Sequence, residues 1–447
     1  LDVDADSTVT SLSVGHTTPV SIDTDKTLSG AITVTAGSIK LGEAGTLASS
    51  VSMSGGVLDA DESLTLSGAL TQSGNITIDV ADNKTLTYSG AAVNLGANTL
   101  TLRGGGTLGN TNAFVLNNAN SKLLLNSITL GSASTSANNS GLDVNADSTV
   151  TSLSVGHITP VLIDTGKTLS GAITVTAGSI KLGEAGTLAS SVSMSGGTLD
   201  ADESLTLSGA LTQSGNITID VADNKILTYS GAALNLGAYT LTLSGEGRLS
   251  NTYVLGLNNA SSKLLLSSSI TVDRVSTSLA SLGLDVDGDS TVTSLSVGHI
   301  TPVSIASGKT LSGAITVTAG SIKLGETGTL ASTVSMSGGV LDANESSTVS
   351  GALSHSADIT IDVASGKTLT YSGASLNLGA NTLTLGGEGR LSNSNDLVLN
   401  NASSKLLLSN SITVDRVSTS LASLGLDVDA NSTVSSLTVG HTTPVSI

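Results

Sequence analysis

Carboxylates and imidazoles recurring at fixed intervals are the residues with most to offer chemically. LDVDADS sets Asp2, Asp4 and Asp6 at alternate positions, and DVDGDS does the same with Asp285, Asp287 and Asp289. Aligned on one side of an extended strand, three such carboxylates supply hard oxygen ligands, and Ca2+ is the ion they would take. An EF-hand loop also needs Gly at its sixth position and a bidentate Glu at its twelfth; both are missing here. The triplet drifts between copies, with Asn145 in the place of Asp4 and Asn431 in the place of Asp6. A solvated strand end is therefore the plainer reading, and no cofactor is expected beyond this candidate Ca2+. Four of the five histidines and all four prolines fall in VGHTTP or VGHITP: His16 with Pro19, His157 with Pro160, His299 with Pro302, His441 with Pro444. Pro fixes φ and has no N–H to give a sheet, so the motif reads as a corner or edge. An imidazole recurring there offers a lateral, pH-sensitive contact, but a lone one builds neither a triad nor a zinc site. Asp59, Asp61 and Glu62 resemble the paired carboxyls of glycoside cleavage. However, the third copy has Asn344 in place of Asp61, and no aromatic platform is near. No catalytic residue is expected, since an enzyme's site would interrupt the repetition rather than share it.

The elements that position these groups must be built from a restricted alphabet. The 447 residues include one Phe, five Tyr, no Trp and no Cys, against 51 Gly. Such a core is made of small aliphatic layers, without disulfides or thiolate metal sites. With 38% hydrophobic residues the chain is too apolar to be a disordered acidic tail. Its formal net charge of −18 argues against nucleic acid and anionic membrane surfaces as partners. No run of 18 apolar residues exists to insert in a membrane.

Internal repetition dominates the sequence. LDVDADSTVTSLSVGH at Leu1 returns with small changes at Leu142, Leu284 and Leu426, giving periods of 141, 142 and 142 residues. Super-repeats therefore span 1–141, 142–283 and 284–425, and 426–447 begin a fourth, as expected for a segment of a longer array. Within the first, turn-forming Gly, Asn and Asp divide the chain into seven units of 18 to 23 residues. Each unit holds short runs of alternating apolar and small polar residues such as AITVTAG, the pattern of half-buried strands. Short strands every 20 residues or so predict an all-β fold, a parallel β-solenoid (β-helix) with one coil per unit. Val20, Ile22, Leu28, Ile32, Val34, Ile39 and Leu41 should point inward. At about 4.8 Å per coil, about 22 coils would make a rod roughly 105 Å long. The drifting stretches around Leu243–Gly256 and Asp273–Gly283, where Arg248, Arg274, Arg390 and Arg416 enter, are where protruding surface and lateral partners are expected.

The run KTLSGAITVTAGSIKLGEAGTL from Lys26, with copies from Lys167 and Lys309, resembles the passenger-associated repeats of autotransporters and the filamentous haemagglutinin-like adhesins. The shared feature is a T-L-x-[SG] strand followed by a Gly-bounded A-G-x-[IL]-x-[LV]-G strand. The resemblance implies a right-handed, extracellular β-helix of adhesin type on a bacterial cell surface. The leading expectation is a non-enzymatic structural repeat protein: the rigid shaft of a giant surface adhesin, or the body of an extracellular filament. Its partners would be copies of itself, through continuation of the array or through end-to-end and lateral assembly. The alternative is a multivalent module presenting identical sites to a glycan or cell-surface receptor.

Overall fold

The computed structural model describes residues 1–447. It is an all-β parallel β-solenoid of about 22 turns, each of roughly 20 residues, and contains no helix. The chain divides into two compact units, Leu1–Ala232 and Ala233–Ile447.

Each turn contributes one strand to a first face and either one long or two short strands to the rest of the circuit. In the first unit the first-face strands run from Asp2–Val3, Thr18–Ile22 and Ser38–Leu41 through to Ile217–Val221. In the second they run from Thr240–Gly245 and Lys263–Leu266 to Val445–Ser446. Every described pairing is parallel and joins one turn to the next. Ile39, Leu58, Ile78, Leu102, Leu125, Val144 and Ile163 stack in an unbroken column, each opposite the one before. All seven are buried. The seven inward positions expected from the sequence, Val20 to Leu41, are buried as well. Alternation puts apolar side chains on one side of every strand, and the neighbouring coils close that side from water.

The energetic unit is thus the pair of coils. Leu295 and Val297, covered by the next coil, are 1% and 0% exposed. Leu437 and Val439, their equivalents in the last described coil, lack that cover and are 38% and 57% exposed. A coil's inward face is apolar by sequence but dry only by stacking.

The remaining circuit turns a corner in two ways. Ser148–Val155 and Thr168–Val175 are single strands of eight residues that bend, with the register shifting between Val150 and Leu153. Elsewhere the corner breaks the strand, as between Thr187–Leu188 and Ser191–Met194. Ser190 sits in that break, buried, and its hydroxyl donates to the carbonyl of Leu169 at 3.3 Å. Ser49 and Ser332 make the same bond, to Leu28 and Leu311 at 3.2 Å each, so the serine in this break ties one coil to the next in all three super-repeats.

Candidate functional site

The Asp triplets run off a strand end and round a corner, so they do not share one strand side. Asp2 belongs to the short strand Asp2–Val3, whereas Asp4 and Asp6 lie in the bend that follows. In the third super-repeat the members have separate partners. Asp285 forms an ion pair with Lys263 of the preceding coil. Asp289 accepts the backbone N–H of Thr310 on the following coil at 2.8 Å. Asp6 and Asp147 make the same cap to Thr27 and Thr168, at 2.9 and 2.8 Å. Asp287 joins neither arrangement. No three His, Asp or Glu side chains converge as a metal site requires.

His16, His157, His299 and His441 are exposed, each at the corner leading into a first-face strand. Their backbone carbonyls accept hydroxyl hydrogen bonds two residues on, from Thr18, Thr159, Thr301 and Thr443, at 3.0 to 3.1 Å. The motif is a closed turn that leaves the ring in solvent. The fifth histidine, His355, carried no sequence signal. It replaces Gln72 and Gln213 at the end of a short strand, stacks on Met336, and bonds Ala357 O through Nδ1 at 2.9 Å.

Charged side chains mostly connect one coil to another. Lys40 bridges Asp59 and Asp61 at 3.3 and 3.8 Å, and Lys84 takes Glu62 at 2.5 Å, so two lysines divide the first acidic group between them. Burial raises the Asp59 carboxyl despite Lys40. Lys40, Asp59, Asp79 and Arg103 form a column whose stacked carboxylates have a cation at each end. In the third super-repeat the same column reads Lys323, Asp342, Asp362, Gly386. Arg103 has no counterpart there, and Asp362 stacks on Asp342 without a cation of its own.

Burial, and then the Asp342 charge, push the Asp362 carboxyl above the usual carboxylate range. A carboxyl raised by folding favours the folded state below its unfolded pKa of about 3.9, and that advantage disappears as pH rises through the folded value. Asp362→Asn should therefore raise the urea midpoint at pH 7, by the equivalent of up to about 1 kcal/mol. At pH 3 it should change nothing. A lower midpoint at pH 7 would show instead that the carboxylate makes a favourable contact.

The basic residues of the drifting stretches form the most elaborate polar group. Arg390 reaches Asp415 through Nε and Nη2, at 3.1, 2.8 and 3.0 Å, and Ser392 adds its hydroxyl at 2.9 Å. Burial works against ionisation of Asp415, yet Arg390 with Ser392 and Ser435 outweighs it and holds the carboxyl below its ordinary range. Arg416 pairs with Asp396 at 2.9 Å. In the second super-repeat Arg248 and Ser250 hold Asp273 in the same way, at 2.8 Å each. Arg274, the counterpart of Arg416, is exposed and makes no ion pair. It borders a groove of about 440 Å³ with Arg248, Val254, Thr293, Ser294 and Ser296.

Each super-repeat also has two adjacent asparagines in an LNNA run, Asn117 with Asn118, Asn258 with Asn259 and Asn400 with Asn401, whose turn-forming character is plain from sequence but whose bonds to another coil are not. Asn118, Asn259 and Asn401 close their own turns, accepting N–H groups two residues on at 2.9 to 3.0 Å. Their neighbours reach another coil instead: Asn117 accepts from Gly96 N–H and Asn400 from Gly379 N–H, both at 2.8 Å.

No family model, curated protein or solved structure matches this chain. The class rests on the fold, a parallel β-solenoid of tandem repeats.

Proposed function

We propose that this chain is a non-enzymatic structural repeat protein of the bacterial exterior, serving as the shaft of a large surface adhesin or the body of an extracellular filament. One observation supports the reading above others: the polar side chains that sequence marks as chemical candidates mostly serve to tie coil to coil. Asp caps, Lys–Asp and Lys–Glu pairs and Asn bridges all join neighbouring turns. Adding repeats to such a solenoid extends it without redesign, because each coil needs only its two neighbours. Length and stiffness are what this architecture supplies most directly. The exposed His16, His157, His299 and His441 are offered to lateral neighbours, and the net charge of −18 limits clumping at physiological salt, where the Debye length is about 8 Å.

Electron microscopy of native material beside a denaturing gel, with and without a calcium chelator, tests this. Rods of discrete length from one very large polypeptide identify a covalent shaft. Indefinite fibres that dissolve into uniform small subunits identify a filament. Compact, non-extended particles would reject both forms.

A further inference from the structure

Arg274 is the one place where comparison among the three super-repeats leaves a charge unmatched in a groove. In the third, Leu397 stacks on Val417, which sets Asp396 across from Arg416 and forms their ion pair. In the second, Leu255 stacks on Val275 in the same register, so Val254 stands across from Arg274. The first has Ala113 and Ser132 in these places. Only the second super-repeat therefore presents a guanidinium with no carboxylate opposite. Asp273 cannot serve it, being held by Arg248, Ser250 and, at 3.4 Å, Thr293. The Arg248–Asp273 pair is neutral overall, which leaves the groove one net positive charge.

We propose that this groove is a single-copy binding site for an acidic sugar unit, whose carboxylate Arg274 receives. Its volume of about 440 Å³ lies within the range of small-molecule sites, about 300–1,000 Å³. A guanidinium takes a carboxylate through two parallel N–H bonds. Ser294, directly across from Arg274 on the next coil, and the exposed Thr293 and Ser296 beside it present hydroxyls to the hydroxyls of a sugar ring. Val254, 39% exposed, gives the apolar wall, and its neighbour Tyr253 is 50% exposed on the same corner. In the other super-repeats that neighbour is Asn112 or Asn395, whose amides bond the carbonyls of Gly90 and Gly373 at 2.8 and 2.7 Å. Tyr at this position gives the corner an exposed aromatic surface of the kind sugar rings stack upon.

The site is held rigid from behind. Asn251 accepts the N–H groups of Asp273 and Arg274 at 3.1 and 3.2 Å and donates to the Arg274 carbonyl at 2.8 Å. Hydrogen bonds at three backbone atoms fix the stretch from which the Arg274 side chain starts, so binding need not also order the main chain there. The inference needs only the fold, and it stands whether or not the shaft reading holds.

Calorimetric titration of the full chain with oligogalacturonate tests it, in about 0.15 M salt so that charges more than about 8 Å away are screened. Neutral oligogalactose and a poly-glutamate peptide are the comparison probes. Oligogalacturonate should bind at one site per chain. Arg274→Ser should weaken it at least tenfold. Val254→Asp should do the same while keeping Arg274, because it rebuilds the ion pair of the third super-repeat. Arg416→Ser should change nothing. No binding of oligogalacturonate, equal binding of the neutral oligomer or of poly-glutamate, or full binding by both groove variants would each overturn the proposal.

Discussion

Phe114→Ala is expected to destabilise the coils around it by about 3–5 kcal/mol, the cost of emptying a large buried aromatic site. Phe114 is 0% exposed and packs against Tyr88 with ring centroids 5.9 Å apart and planes at 40°. Aliphatic columns this narrow have few long side chains able to move into the space. The super-repeats also contain their own substitution series. Phe114 stacks on Ala133, whereas Leu255 stacks on Val275 and Leu397 on Val417. Large over small and medium over medium are two ways of filling the space between these two coils. Phe114→Leu alone should leave a cavity, and Ala133→Val alone should overpack by about 1–3 kcal/mol. Combined, they should return to within about 0.5 kcal/mol of the parent if the pair is a true compensating unit. A double-mutant cycle followed by hydrogen exchange of the neighbouring amides measures this. Simple additivity of the two single changes would show that the residues do not share a cavity.

The second large effect is expected at a corner. Gly171 has φ of +117°, and a Cβ there would lie 1.9 Å from the carbonyl oxygen of Val150 on the preceding coil. This is the point where the eight-residue strands shift register as they bend. Gly171→Val therefore meets both a disfavoured backbone conformation and a rigid neighbour, and should cost at least about 3 kcal/mol. Gly166 provides the contrast. Its φ of +73° is also positive, but nothing lies within 4 Å of the added atom. Its counterpart in the first super-repeat is Asp25, which already adopts φ of +62°. Gly166→Asp should thus remain within about 1 kcal/mol of the parent. Urea midpoints of the two variants provide the comparison, and equal losses would show that conformation alone, not the approach of the next coil, governs these glycines.

Much of the fold was legible because its determinants are local. Alternation within AITVTAG decides which side of the strand is apolar, and the Gly and Asn breaks decide where it stops. Both are properties of fewer than ten consecutive residues. From them followed the parallel solenoid, about seven coils per super-repeat and the inward set from Val20 to Leu41, all of which the structure bears out. The corners were less legible. Asp2, Asp4 and Asp6 alternate like strand residues, but the strand ends at Val3.

The outward surface was decided only by tertiary structure. Its neighbours come from different coils, and the separation changes as coil length changes. Tyr88 reaches Leu70 across 18 residues, Arg416 reaches Asp396 across 20, and Arg390 reaches Asp415 across 25. No fixed spacing marks a partner, so the sequence could name Arg274 and Arg416 together but could not tell that one finds a carboxylate and the other a valine. The sequence alone determined what lies inside, because burial is written in a period of two along one strand. What meets on the outside depended on how coils of unequal length come into register, which is settled only when they stack.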